Sequence, residues 1–190
     1  MENADKPCRT IRRWRNVGML DDFWLAPLDP EQHAEAMHEI LGDEDSCRYL
    51  FSRAFKDVSE TRRQLEKWVK SSPETEWVIL ACPSQTPVGR VTIYTTGDEV
   101  WEAGVMICPD ARGLGLGGRA LQKGIDFIFE NMPCRRIAAD IDPENVGSIR
   151  TFQKLGFTYE GRLRARWRTH LGVRDADIYS LLPSDPRPWR

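Results

Sequence analysis

The chain has 190 residues, 41% of them hydrophobic, enough to bury a sizeable core as one domain spanning residues 1–190. Charged residues make up 29% and the net charge is only −2, so no overall basicity points to nucleic acid as a partner. No window approaches about 18 continuous apolar residues and the charged N-terminus lacks an apolar signal core, so neither a membrane span nor export is expected. Five cysteines (Cys8, Cys47, Cys82, Cys108, Cys134) are odd in number and form no CxxC pair, which suits reduced thiols in a cytoplasm rather than disulfides or zinc. His33 and His38 fall on different helix faces and His170 lies in a turn, so no metal site is expected.

In chain order, the basic arm Arg9 to Arg15 and the tail Asp185 to Arg190 read as partly ordered terminal segments, with contact to an acceptor or partner subunit as the other reading. Asp29 caps a helix that has Pro30 at its first position and runs toward Leu41, where Gly42 stops it. Ser59, then Leu65, Trp68 and Val69 at helical spacing, signal a second helix ending near Ser71 to Pro73. Trp77 to Cys82 and Val88 to Tyr94 are β-rich runs that read as a hairpin around SQTP. A strand over Trp101 to Ile107 follows, then a helix from about Gly115 to Glu130 whose Leu121, Ile125 and Ile128 face the core. The order is that of an α+β chain with helices flanking a mixed sheet.

The densest signal is DARGLGLGG, Asp110 to Gly118, between that strand and that helix. Glycines at 113, 115, 117 and 118 permit positive φ and close ligand approach, and the free amides of the helix start favour an anion, so the segment reads as a phosphate cradle. Gly113, Gly115 and Gly118 also satisfy GxGxxG, with Asp140 beyond, but the roughly 70 residues after the loop are too few for a dinucleotide domain. A Walker A loop fails because Arg119 and Ala120 stand where Lys and Ser or Thr belong.

Arg112, Gly113, Gly115 and Gly117 resemble the (Arg or Gln)-x-x-Gly-x-(Gly or Ala) signature of the GNAT family of N-acetyltransferases, which holds the pyrophosphate of acetyl-CoA. WEAGVMI (Trp101 to Ile107) is similar to the family's fourth strand, and DPENVGSIRTFQKLGFTYEG (Asp142 to Gly161) to its Asn-x-x-Ser helix, Gly-Phe turn and Glu-Gly step. VRDADIYSLL (Val173 to Leu182) looks like the last strand of the branch that acetylates N-termini of ribosomal proteins. The likeness covers roughly residues 24 to 182. It implies a single-domain, mixed, mostly antiparallel sheet of about six or seven strands flanked by about four helices. It also implies acetyl-CoA as co-substrate, a peptide or small-molecule amine as acceptor, and a homodimer as a common assembly. Val105, Met106, Ile107, Arg112, Gly113, Leu114, Gly115, Leu116, Gly117, Gly118, Asn145 and Ser148 would then bind the coenzyme.

Acetyl transfer needs a neutral amine. At pH 7.4 a lysine amine near pKa 10.4 resists deprotonation by roughly 4 kcal/mol, and an α-amino group near 8 by under about 1. Glu102, beside the strand opening, is the candidate base, against a reading as a surface glutamate on a half-exposed strand. Asp140 and Asp142 are weaker candidates, since helix capping accounts for Asp142. The family often protonates the departing thiolate with a tyrosine where this chain has Phe152, so the resemblance passes that role to Ser148, which otherwise reads as an ordinary helix hydroxyl. The amides of Val105 and Ile107 would serve the carbonyl oxygen if the strand splays, and Gly104 permits the close backbone approach of a bulge.

Arg162, Arg164, Arg166 and Arg168 alternate, so a regular strand places them on one face. Beside the acceptor groove that the resemblance implies, Arg164 and Arg166 would then select an acidic acceptor; the other reading is a solvated strand face. Of the tryptophans, Trp24 and Trp101 are those expected near a groove. The competing function is a catalytically silent acyl-CoA-binding module, which the missing tyrosine admits.

Overall fold

The computed structural model describes residues 23–190, so the basic arm, with Trp14 and Cys8, lies outside the described residues. The elements run β1 (Phe23–Pro27), α1 (Pro30–Leu41), α2 (Glu44–Cys47), α3 (Val58–Ser71), β2 (Glu76–Ala81), β3 (Thr86–Gly97), β4 (Val100–Ile107), α4 (Leu116–Asn131), β5 (Arg136–Ile141), α5 (Val146–Lys154), β6 (Thr158–Thr169) and β7 (Gly172–Leu181). A short 3-10 turn, Pro109–Ala111, joins β4 to the glycine loop. The strands form one sheet in the order β1-β2-β3-β4-β5-β7-β6, parallel only between β4 and β5.

Helix starts follow the chain's own capping chemistry. Asp29 accepts the amides of Glu31 and Gln32 at the start of α1, and Gly42 closes its end. Helix α3 starts earlier than Ser59 suggests, because Asp57 accepts the Glu60 amide at 2.9 Å. The four-residue α2, capped by Asp43, adds an element with too few residues to show periodicity.

The sheet is covered on both sides, which is why β2 (EWVILA) is buried throughout. One face packs Ile79, Val91, Ile93, Ile137 and Ala139 against Leu121, Ile125 and Ile128 of α4 and Phe152 of α5. The other packs Val78 and Leu80 against Met37 and Ile40 of α1 and Leu65 of α3. This second layer also buries an ion pair, Arg90 to Glu76 at 2.7 Å, with Thr92 donating to Glu76 and the guanidinium 3.9 Å from the Trp68 ring. Along β5, Ile137, Ala139 and Ile141 face α4 and α5, so Ala138 and Asp140 face the opposite layer.

The C-terminal tail corrects the expectation of a partly ordered end. Asp126 of α4 accepts from Arg187 at 2.9 Å, from the Trp189 indole at 3.0 Å and from Arg190 at 3.1 Å, so the tail lies against its own helix. Asp126→Ala is expected to release it, costing about 1–2 kcal/mol and lowering Tm by roughly 2–6 °C. Limited chymotrypsin digestion followed by mass measurement checks this: faster loss of the segment beyond Leu182 is expected, and unchanged protection would contradict the docking.

Candidate active site

The site begins where the sheet comes apart. Strands β4 and β5 pair only through Val100 with Arg136, Trp101 with Ile137 and Glu102 with Ala138; beyond them β5 follows β7. Among the described residues, Ala103 to Ile107 therefore have no strand neighbour on that side. The Cys108 amide donates to Val88 on β3, so alternation turns the amides of Met106 and Gly104 toward β3 and those of Val105 and Ile107 into the opening. The splay that sequence could only make conditional is present. The Met106 side chain packs with the α1/α3 layer, and its amide faces β3 rather than the opening.

The glycine loop lies at the end of this opening. Gly113 and Gly115 have φ of 78° and 70°, the left-handed region in which a Cβ is strained. Gly115 caps α4, and the first helical bond is donated by Arg119 to its carbonyl, which leaves the amides of Leu116, Gly117 and Gly118 at the helix end. Unlike α1 and α3, α4 has no acidic residue in its first turn, so its positive end is not offset by one. Gly117 instead permits close packing of the helix on β4, since a Cβ there would meet Ile107 at 3.3 Å. The Leu116 side chain is buried, and Leu114 is half-buried in the loop. The Arg112 guanidinium donates to the Ile107 carbonyl at 3.0 Å and to the Ser46 hydroxyl, tying the loop to β4 and α2. This cradle fits a pyrophosphate through backbone amides.

Across the opening, Asn145 caps α5 by accepting the Ser148 amide at 3.1 Å. Asp142 is not the cap; it accepts the Glu144 amide and two bonds from Arg174, at 2.8 and 3.1 Å. Burial alone would raise the Asp142 carboxyl, but the Arg174 and Glu144 donors hold it below its ordinary value. Phe152, buried and edge-on to Phe157 at 4.9 Å, belongs to the core.

On the α1/α3 face of the opening lies a cavity of about 170 Å³ lined by Glu102, Asp140, Asp142, Asp175 and Arg174, with Tyr49, Phe51 and Trp167 among its walls. Glu102 sits opposite Tyr94 on β3 and Ala138 on β5, which brings it, Tyr94 and Asp140 to one face. Burial raises the Glu102 carboxyl above its ordinary range; hydrogen bonding from Tyr94 opposes this, the Asp140 charge adds to it, and Arg166 opposes it. Burial and the Glu102 charge likewise push the Tyr94 phenol up, so it stays a donor at neutral pH. The segment after α2 closes the cavity: Phe51 stacks edge-on to Trp167 at 4.9 Å, and the His170 amide donates to the Phe51 carbonyl at 3.0 Å.

The all-basic face of β6 does not form. Register shifts fall between Tyr159 and Gly161 and between Leu163 and Trp167, where Ala165 takes φ 52°. Arg162 bonds Asp177 at 2.7 Å, whereas Arg166 bonds Asp140 at 3.1 Å; Asp140 pairs with Ile178, one residue along β7 from Asp177, so the two arginines serve opposite faces. Arg164 lies exposed within the shifted segment. The tryptophan at the cavity is Trp167, not Trp24, which is on the edge strand, or Trp101, whose indole donates to the Pro133 carbonyl. Sequence reasoning does not reach Tyr94 or Arg174; the spacing of Tyr94 and Glu102 about a short hairpin is the one available signal.

A parallel strand pair that opens beside a glycine-built helix start offers backbone amides both to an anion and to a polar group lying in the opening. Residues 22–158 match the family model described as acetyltransferase (GNAT) domain, and the chain belongs to that family. It is 28% identical over 167 residues to an uncharacterized N-acetyltransferase, p20, of Bacillus licheniformis, covering 80% of this chain and 88% of that protein. It is 24% identical over 139 residues to spermidine N(1)-acetyltransferase of Escherichia coli, covering 73% and 74%. A crystal structure of spermidine N-acetyltransferase from Vibrio cholerae in complex with CoA and spermine has the same fold, with TM-score 0.75, 17% identity and coverage of 86% and 97%. The protein is an N-acetyltransferase. Among the described residues no helix is long and apolar enough to cross a membrane.

Proposed function

We propose that the chain transfers the acetyl group of acetyl-CoA to the primary amine of a cationic acceptor by direct attack in a ternary complex. The carrying observation is the carboxylate-lined cavity that meets the strand opening at Glu102. Four carboxylates against Arg174 and the already paired Arg166 leave its wall negative, which favours an ammonium-bearing molecule over an acidic one. That replaces the acidic acceptor that the arginine run suggested. Relatives named for spermidine act on an acceptor of this charge, which supports a polyamine.

Glu102 takes the proton the amine must lose, and Tyr94 orients its carboxylate. The Val105 and Ile107 amides receive the carbonyl oxygen as it gains charge. The amides of Leu116, Gly117 and Gly118 hold the coenzyme pyrophosphate, with Arg112 bracing the loop. Ser148, whose amide is held by Asn145, offers its hydroxyl as a hydrogen bond to the departing thiolate and keeps its own proton. Burial pushes the Cys108 thiol, at the end of β4, up to about 12, so it is a poor nucleophile at neutral pH and direct transfer is favoured over an acetyl-cysteine. A reducing compartment, the cytoplasm, suits the free thiols Cys47, Cys82, Cys108 and Cys134.

Initial rates across acceptors of graded charge test the reading. KM for 1,4-diaminobutane and spermidine is expected to be at least about tenfold below that for peptides beginning with Asp or Glu. A preference for the acidic peptides would overturn it.

A further inference from the structure

Arg166 is held in an unusual way for a surface arginine. Two residues more on β6 than on β7 separate the Leu163–Ala176 and Trp167–Arg174 pairs, and Arg166 lies within that excess. Arg162 and Arg168 face the same side as Asp177 and Val173, and unbroken alternation would place Arg166 with them. The bulge instead turns it to the cavity side, where its guanidinium meets Asp140 at 3.1 Å and lies 4.3 Å from the Trp167 ring centroid. The bulge is itself anchored, since Asp175 accepts the Ala165 amide at 2.8 Å.

The two members of the pair differ in freedom. The Asp140 side chain is 9% exposed and that of Arg166 is 42% exposed. A carboxylate so enclosed calls for a cation, and the cation it has can swing outward to water. Asp140 also stands one pleat beyond Ala138, the partner of Glu102, on the same face. That is about 6–7 Å along the strand, roughly the span between the two nitrogens of a three- to four-carbon diamine.

We propose that Arg166 is a specificity-determining residue whose guanidinium occupies, on Asp140, the seat of a second ammonium group of the acceptor. This rests on the amine-acetylating reading and deepens it: the acceptor is a di- or polyamine whose reacting nitrogen faces Glu102 while its second cation displaces Arg166. A monoamine leaves the Arg166–Asp140 pair in place. A diamine must break that pair, and so binds less tightly than the bare carboxylate would allow.

Calorimetric binding of 1,4-diaminobutane and of butylamine in the presence of CoA, for wild type, Arg166→Ala and Asp140→Asn, tests this. Arg166→Ala is expected to tighten diamine binding about fivefold while butylamine changes less than about twofold, and Asp140→Asn to erase the preference for diamine. Equal changes for both amines, or weaker diamine binding in Arg166→Ala, would overturn the assignment. Arg166→Gln serves as the second variant should the alanine substitution disturb the bulge. Binding is read without turnover, so failure of acetyl transfer in the wild type is a separate result that bears on the function alone.

Discussion

Glu102→Gln lowers kcat/KM by roughly 10²- to 10³-fold and removes the acidic limb of the pH-rate profile, while binding of CoA stays within about twofold. The substitution keeps the shape of the side chain and its place opposite Tyr94 and Ala138, but it cannot accept the proton. An alkylammonium near pKa 10.4 costs roughly 4 kcal/mol to deprotonate at pH 7.4, and nitrogen has no lone pair to attack with until that proton leaves. The direction of the pH dependence follows from the raised Glu102 carboxyl: only its ionised form is a base, so activity falls as pH drops through that raised value, above the ordinary glutamate range. Tyr94→Phe should move the limb further up, because the Tyr94 hydrogen bond holds the carboxyl down. A Glu102→Gln enzyme with wild-type rate and profile would remove Glu102 from the mechanism.

The second large effect is expected at Gly115. Gly115→Val forces a β-branched residue into φ 70°, where the backbone alone costs about 1–2 kcal/mol and crowding at Cβ adds to it. Nothing lies within 4 Å of a Cβ there, so the penalty is conformational and the loop can relieve it by leaving the left-handed region. Doing so turns away the amides of Leu116, Gly117 and Gly118. CoA binding is therefore expected to weaken by about 30-fold or more, with a Tm loss of only a few degrees. Dephosphorylated fragments of CoA that lack the pyrophosphate should bind both proteins alike. Equal CoA affinity in Gly115→Val would show that the helix start does not hold the coenzyme.

What the sequence disclosed was local. Asp29, Pro30 and Gly42 set the bounds of α1 because caps act within one turn, and the glycine loop was legible because positive φ at two close positions has few other residue solutions. What it hid was non-local. The strand opening is created by β5 pairing with three residues of β4 and then continuing beside β7, and nothing in WEAGVMI records where its neighbour departs. Tyr94 meets Glu102 through hairpin register, and Arg174 reaches Asp142 across 32 residues. The arginine run misled because strict alternation was assumed; Ala165 at φ 52° carries no compositional sign of a bulge, yet it sends Arg162 and Arg166 to different carboxylates. Docking of the tail likewise depends on Asp126, a residue that reads as an ordinary helix surface position.

The most direct test incubates the enzyme with acetyl-CoA and 1,4-diaminobutane, following free thiol and the mass of the amine together. The account predicts thiol release that depends on the amine, matched mole for mole by monoacetylated diamine. CoA binding with no acetylated diamine would contradict transfer to this class of acceptor, and thiol release at the same rate without amine would show the acetyl group passing to water instead.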